Sequence, residues 1–108
     1  MLKNHVTFYV PSTKNVGERL TKSERRTLVN RVEKKFGLAF GGTTSVNGVG
    51  SFPTKKGWIR ENVTLVTSYH GLETTEALAI VIPLANAIKT EYGQESIAIE
   101  TEQGIDFI

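Results

Sequence analysis

Thr43-Thr44-Ser45-Val46, then Pro53-Thr54-Lys55-Lys56-Gly57, then Trp58 through Tyr69 read as strand, turn and strand. Val63, Leu65 and Tyr69 alternate with Thr64, Val66 and Ser68, the period of two that a half-buried strand shows. The first arm is β-favouring but interrupted by Gly41, Gly42, Gly48 and Gly50, which predicts bulges or close backbone approaches. A long central hairpin is therefore expected over residues 38–69, and everything on either side is arranged around it.

Before the hairpin, His5, Thr7 and Tyr9 alternate with Val6, Phe8 and Val10, so a strand is expected with the second set toward the core, and Pro11 ends it. Residues 12–17 have loop composition. Thr21 and Glu24 form a T-x-x-E capping box that opens a helix, expected from about Lys22 to Phe36 with Gly37 as its cap. Leu28, Val29, Val32 and Phe36 fall on one face of it, while Arg25 lies on that azimuth in the first turn. After the hairpin, Ala77, Val81, Leu84, Ala85, Ile88 and Tyr92 make a stripe that predicts a helix over Thr74–Tyr92, kinked at Pro83; a strand at Ala77–Ile82 is the alternative. A strand over Ser96–Thr101, a turn at Gln103-Gly104 and a short strand at Ile105–Ile108 complete the chain.

The order β-α-β-β-α-β with a C-terminal strand is the ferredoxin-like, split βαβ pattern of the α+β class, in one domain over residues 1–108. Two helices would cover one face of an antiparallel sheet. The other face is expected to carry Thr7, Tyr9, Thr64, Val66, Ser68 and Ala98, a mixture that a second subunit often covers, so a homo-oligomer is expected.

With 39% apolar and 22% charged residues the balance is globular, and the absence of cysteine excludes disulfides, thiolate metal sites and cysteine nucleophiles. The start Met1-Leu2-Lys3-Asn4-His5-Val6 lacks the apolar run of a signal peptide and no stretch reaches membrane-spanning length, so a soluble cytoplasmic protein without membrane partners is expected. The net charge of +2 hides an asymmetry: residues 1–60 hold twelve Lys and Arg against three Glu, and residues 61–108 hold one Lys against eight acids. Either an anionic partner meets the first half, or basic surface packs on acidic surface. Because the acidic half shares the domain, nucleic acid is not the expected partner.

No motif names a reaction. The Gly-rich stretch lacks G-x-x-x-x-G-K-[ST], and Gly48-Val49-Gly50 is followed by Ser51-Phe52-Pro53 rather than a third fingerprint glycine. A bulged strand competes there with a ligand-contacting loop. Lys55, Lys56, Trp58 and Arg60 join cations to the only tryptophan, suited to a phosphate or a base, against the alternative of a solvated turn beside a packed indole. His5 and His70 would approach if the first strand pairs antiparallel with the third, yet without a carboxylate ligand no metal site is expected. Asn62-Val63-Thr64 matches a glycosylation sequon that, inside a strand, is accidental. Glu61, beside Arg60, is the lone carboxylate that an enzyme reading would use.

Phe40-Gly41-Gly42-Thr43-Thr44, Gly57-Trp58-Ile59-Arg60-Glu61 and Tyr92-Gly93-Gln94-Glu95-Ser96 together resemble small ferredoxin-like families of unknown function, over residues 40–106. In topology the chain also resembles the CutA and PII-type trimers, and that resemblance implies a ligand cleft between subunits; none of their loop motifs stands in this sequence.

The leading expectation is a non-enzymatic, oligomeric protein that binds a small anionic ligand such as a nucleotide in an inter-subunit cleft, with no cofactor. Lys14, Arg25, Lys55, Lys56 and Arg60 would pair anionic oxygens, Thr43, Thr44 and Ser45 would donate hydrogen bonds, and Trp58 would stack. The other readings are an interaction module docking an acidic partner through the basic first helix, a small enzyme using Glu61 or the histidines, and a nucleic-acid binder.

Overall fold

In the computed structural model, which describes residues 1–15 and 17–108, the first alternating segment forms β1 (Asn4–Val10). Most of the loop expected over 12–17 folds into a two-residue ribbon of β2 (Thr13–Lys14) and β3 (Glu18–Arg19); Val16 within it lies outside the described residues. The first helix, α1 (Lys22–Phe40), opens on the expected box: the Glu24 N–H donates to Thr21 Oγ1 at 3.1 Å and the Thr21 N–H to Glu24 Oε1 at 3.0 Å. It runs past Gly37, because Leu38 and Ala39 favour helix and Phe40 packs edge-on against Phe36 with centroids 5.4 Å apart. The cap falls instead to Gly41, whose φ of 104° suits glycine and whose N–H donates to the Gly37 carbonyl.

The central hairpin is β4 (Thr44–Thr54) and β5 (Gly57–His70). Its register is continuous from Thr44↔Thr67 to Thr54↔Gly57, so the expected bulges are absent and the glycines sit in regular pairs. The second helix is α2 (Thr74–Glu91), uninterrupted through Pro83, which removes the strand alternative at Ala77–Ile82. It is followed by β6 (Ala98–Thr101) and β7 (Gly104–Phe107).

The five long strands form one antiparallel sheet in the order β4-β5-β1-β6-β7, with both helices on one face, a ferredoxin-like α+β arrangement. Its core joins Val6, Phe8, Val10, Val66 and Ile99 of the sheet to Leu28, Val32 and Phe36 of α1 and Val81, Ala85 and Ile88 of α2. Each fully buried aliphatic or aromatic side chain there contributes about 2 kcal/mol against exposure.

The face assignment of β5 is opposite to the one its residue types suggest. β1 pairs with β5 as Val6↔Ser68, Phe8↔Val66 and Val10↔Thr64, and directly paired residues share a face, so Thr64, Val66 and Ser68 lie under the helices. The two hydroxyls are satisfied there: Ser68 Oγ donates to the Gly42 carbonyl at 2.8 Å and Thr64 Oγ1 to Asn47 Oδ1 at 2.9 Å. The open face carries Thr7, Tyr9 and Ala98 as expected, but Leu65, Thr67 and Tyr69 in place of Thr64, Val66 and Ser68, together with Val46, Glu100, Ile105 and Phe107. On it Tyr9 Oη donates to Glu100 Oε1 at 2.6 Å, a bond that raises the tyrosine's pKa.

Pairing of β1 with β5 ends at Val10↔Thr64. The hairpin beyond that point projects as a two-stranded arm, which gives the molecule its 45 Å long axis. Along the arm, no strand among the described residues lies beside the β5 edge turned away from β4.

Candidate functional site

The loop between β1 and α1, the first turns of α1 and the free edge of β5 enclose a cleft of about 540 Å³. Ser12, Thr13, Arg19 and Leu20 form one wall, Arg25 the second, and Ile59, Arg60, Glu61 and Asn62 the third, with Val49 behind them. Consecutive residues of β5 border it because the cleft meets the strand at its unpaired edge. The sharp contrast is electrostatic. Lys14 is bound to Glu24 at 2.8 Å and Arg31 to Glu91 at 2.6 Å, but among the described residues Arg19, Arg25 and Arg60 have no ion-pair partner. Glu61 is the only carboxylate among the lining residues. Three arginines and one glutamate thus border this concave space, a residue set with an excess of positive charge that suits a ligand carrying a carboxylate or phosphate.

A shallower groove of about 370 Å³ continues from Arg25 along the helix-facing side of the hairpin, bordered by Lys22, Arg26, Asn30, Ser45, Asn47 and Thr64. At the other end of the hairpin, Thr43 and Thr44 border a hollow of about 470 Å³ with Phe40, Thr67 and Tyr69.

The residues singled out from the sequence are thus divided. Arg25 and Arg60 meet in the main cleft. Ser45 lies in the adjoining groove and donates to Glu33 at 2.6 Å, while Thr43 and Thr44 are in the distal hollow. Lys14 is engaged by Glu24, which raises its pKa and lowers that of Glu24. Lys55, Lys56 and Trp58 are at the exposed arm tip and border none of these hollows; Trp58 is 73% exposed. Sequence reasoning passed over Arg19, Ser12, Thr13 and Asn62. Arg19 carried a signal, as a cation just ahead of the capping box, but nothing local places it opposite residues forty positions later.

The histidines do not meet. His5 pairs with Tyr69 on the open face, their rings 5.6 Å apart, whereas His70 pairs with Asn4 on the helix side and lies 5.1 Å from the Phe40 ring. Among the described residues no group of three His, Asp or Glu side chains is placed to hold a metal ion, and no helix is long and apolar enough to cross a membrane.

No profile of a known protein family and no curated protein matches the chain. Two solved structures do. One is a phage SAM lyase in complex with S-methyl-5'-thioadenosine, superposing with a TM-score of 0.70 at 16% identity over 97% of this chain and 88% of that one. The other is a phage SAM lyase in the apo state, with a TM-score of 0.72 at 15% identity over 97% and 87% of the two chains. This chain shares their fold. At that identity the likeness concerns the path of the backbone and transfers no side chain.

Proposed function

We propose that the cleft beside the free β5 edge binds a thioadenosine-bearing small molecule, and that its substrate is S-adenosylmethionine, cleaved as by a lyase. The observation that carries this reading is the meeting of Arg19, Arg25 and Arg60, unpaired among the described residues, with the single carboxylate of Glu61. The full-length likeness to two SAM lyase structures supports it. S-adenosylmethionine offers a complementary set of groups: a carboxylate for a guanidinium fork, an ammonium and a sulfonium for Glu61, and ribose hydroxyls and base edges for Asn62, Ser12 and Thr13.

Cleavage needs little from the protein beyond orientation. The bond between sulfur and the γ-carbon of the amino-acid arm breaks with its electron pair passing to sulfur, which departs as the neutral thioether S-methyl-5'-thioadenosine. The substrate's own carboxylate oxygen takes the vacated position on carbon and closes a five-membered lactone, so neither water nor a protein nucleophile enters the products. Glu61 holds the cationic end of the substrate, and the arginines turn the carboxylate toward the carbon it attacks.

The cleft is open along β5, and the uncovered sheet face exposes Val46, Tyr69, Ile105 and Phe107. We assign that face to a further copy of the chain. The second reading is sequestration without cleavage, since the same arginine-bordered cleft would hold the ligand whether or not the bond breaks.

The test is incubation with S-adenosylmethionine, following release of S-methyl-5'-thioadenosine by chromatography, beside calorimetric titration with both compounds. Release by the native chain that is lost in Glu61→Gln is expected. Binding without release favours sequestration, and failure to bind either compound overturns the site.

A further inference from the structure

The segment Tyr92-Gly93-Gln94 after α2 takes no part in the cleft, yet it holds the cleft's least self-supporting wall. The β2–β3 ribbon has two residue pairs, Thr13↔Arg19 and Lys14↔Glu18, and one closing bond from the Leu20 N–H to the Ser12 carbonyl at 2.9 Å. A ribbon that short does not persist alone in water. One anchor is the Lys14–Glu24 ion pair to α1 at 2.8 Å, and the others come from the end of α2. The Asn15 N–H donates to the Tyr92 carbonyl at 2.8 Å, and Gln94 Nε2 donates to the Thr13 carbonyl at 2.8 Å and to the Tyr92 carbonyl at 3.1 Å.

The two backbones meet with no space to spare. Asn15 has φ 43° and Gly93 has φ 59°, and a Cβ on Gly93 would stand 2.9 Å from Asn15 Oδ1, 3.2 Å from its Cα and 3.3 Å from its nitrogen. Gln94 is itself fixed by its N–H, which donates to the Lys89 carbonyl at 2.9 Å. Glu91 ties this helix end to α1 through two bonds from Arg31, at 2.6 and 3.1 Å. The element that carries Arg25 and the loop that carries Arg19 are thereby referred to the same point.

We infer that Tyr92-Gly93-Gln94 is a latch that sets the ligand affinity of the cleft, with Gln94 as a positioning residue acting through Thr13 on Arg19. Thr13 accepts from Gln94, pairs with Arg19 and borders the cleft, so the path from latch to ligand is one residue long. This rests on the cleft being the ligand site proposed above.

The test combines hydrogen exchange with a double-mutant cycle, using the full chain and S-adenosylmethionine as probe. Gln94→Ala is expected to speed exchange in a peptide spanning 12–20 while the sheet strands keep their protection, and to weaken binding about tenfold. In the Arg19→Ala background the same change should cost clearly less than in the native chain, because the main group it positions is gone and only Ser12 and Thr13 remain on the loop. Gly93→Ala, which pushes the loop away by contact rather than by loss of a bond, should repeat the pattern. Unchanged loop exchange, or a native affinity in Gln94→Ala, overturns the latch while leaving the site standing. If the native chain does not bind the probe, the site reading falls and the positioning role falls with it.

Discussion

Ser68 Oγ donates to the carbonyl of Gly42 at 2.8 Å, across the gap between β5 and the turn that follows α1. Ser68 is 1% exposed, so the bond is made away from water and also anchors the point where the chain leaves the helix for the hairpin. Ser68→Ala leaves the Gly42 carbonyl without this donor and is expected to cost about 1–2 kcal/mol, read from the urea midpoint at unchanged slope. A neutral result would mean that the carbonyl finds water.

Glu102 joins three parts of the fold. It accepts from the Thr74 hydroxyl at the start of α2 and from the His5 N–H at 3.0 Å. The Thr74 bond first, then its own and the His5 backbone N–H, hold its carboxyl at about 2, below the ordinary value of 4.5. Because the folded-state value is depressed, the stabilisation is full above the unfolded value and is lost as pH falls from 4.5 toward 2. The group is exposed, so screening reduces the effect to about 0.5–1 kcal/mol. The stability difference between the native chain and Glu102→Gln should therefore shrink through that window in acid titration of urea melts, and a pH-independent difference would refute the assignment.

The cleft cations are distinguishable by what they hold. On the proposed reading a guanidinium would meet the amino-acid carboxylate of S-adenosylmethionine, which S-methyl-5'-thioadenosine lacks. Arg25→Ala and Arg60→Ala are therefore expected to weaken binding of the first compound by about tenfold or more and of the second by less than about threefold. Lys14→Ala, whose ammonium is occupied by Glu24, should change neither by more than about threefold. Calorimetry on the three variants decides it, and equal losses for both ligands would move the arginines away from the carboxylate.

The proposed self-association through the open sheet face makes its own prediction. Phe107 is 70% exposed and pairs with Ala98 on that face. Phe107→Asp is expected to shift sedimentation to a monomer while leaving the thermal midpoint of the dilute protein within a few degrees, since a surface change away from the core costs little. Trp58→Ala at the arm tip should leave sedimentation as it is. The reverse pattern would assign the interface to the arm.

Residue types and their spacing were enough for the long strands and helices, though not for the short β2–β3 ribbon. The alternation in Val6-Thr7-Phe8-Tyr9-Val10, the Thr21 and Glu24 box and the stripe from Ala77 to Ile88 are local patterns, and each produced the strand or helix it implies. The C-terminus of α1 was misjudged because Gly37 and Gly41 are both competent caps, and the choice between them rests on Phe40 finding Phe36 and His70.

Tertiary structure decided the phase of β5 and the composition of the site. Val63, Leu65 and Tyr69 look like the core set when the strand is read alone, since more apolar surface lies on that side. Pairing with β1 reverses the choice, because Phe8 carries Val66 inward with it and Ser68 and Thr64 follow, satisfied by Gly42 and Asn47. The site assembles for the same kind of reason. Arg19, Arg25 and Arg60 come from three elements, and only the end of β1 pairing at Val10 leaves the β5 edge open for them to face. Local patterning carries the period of a segment but not which neighbour it meets, and both the face of a strand and the walls of a cleft are properties of neighbours.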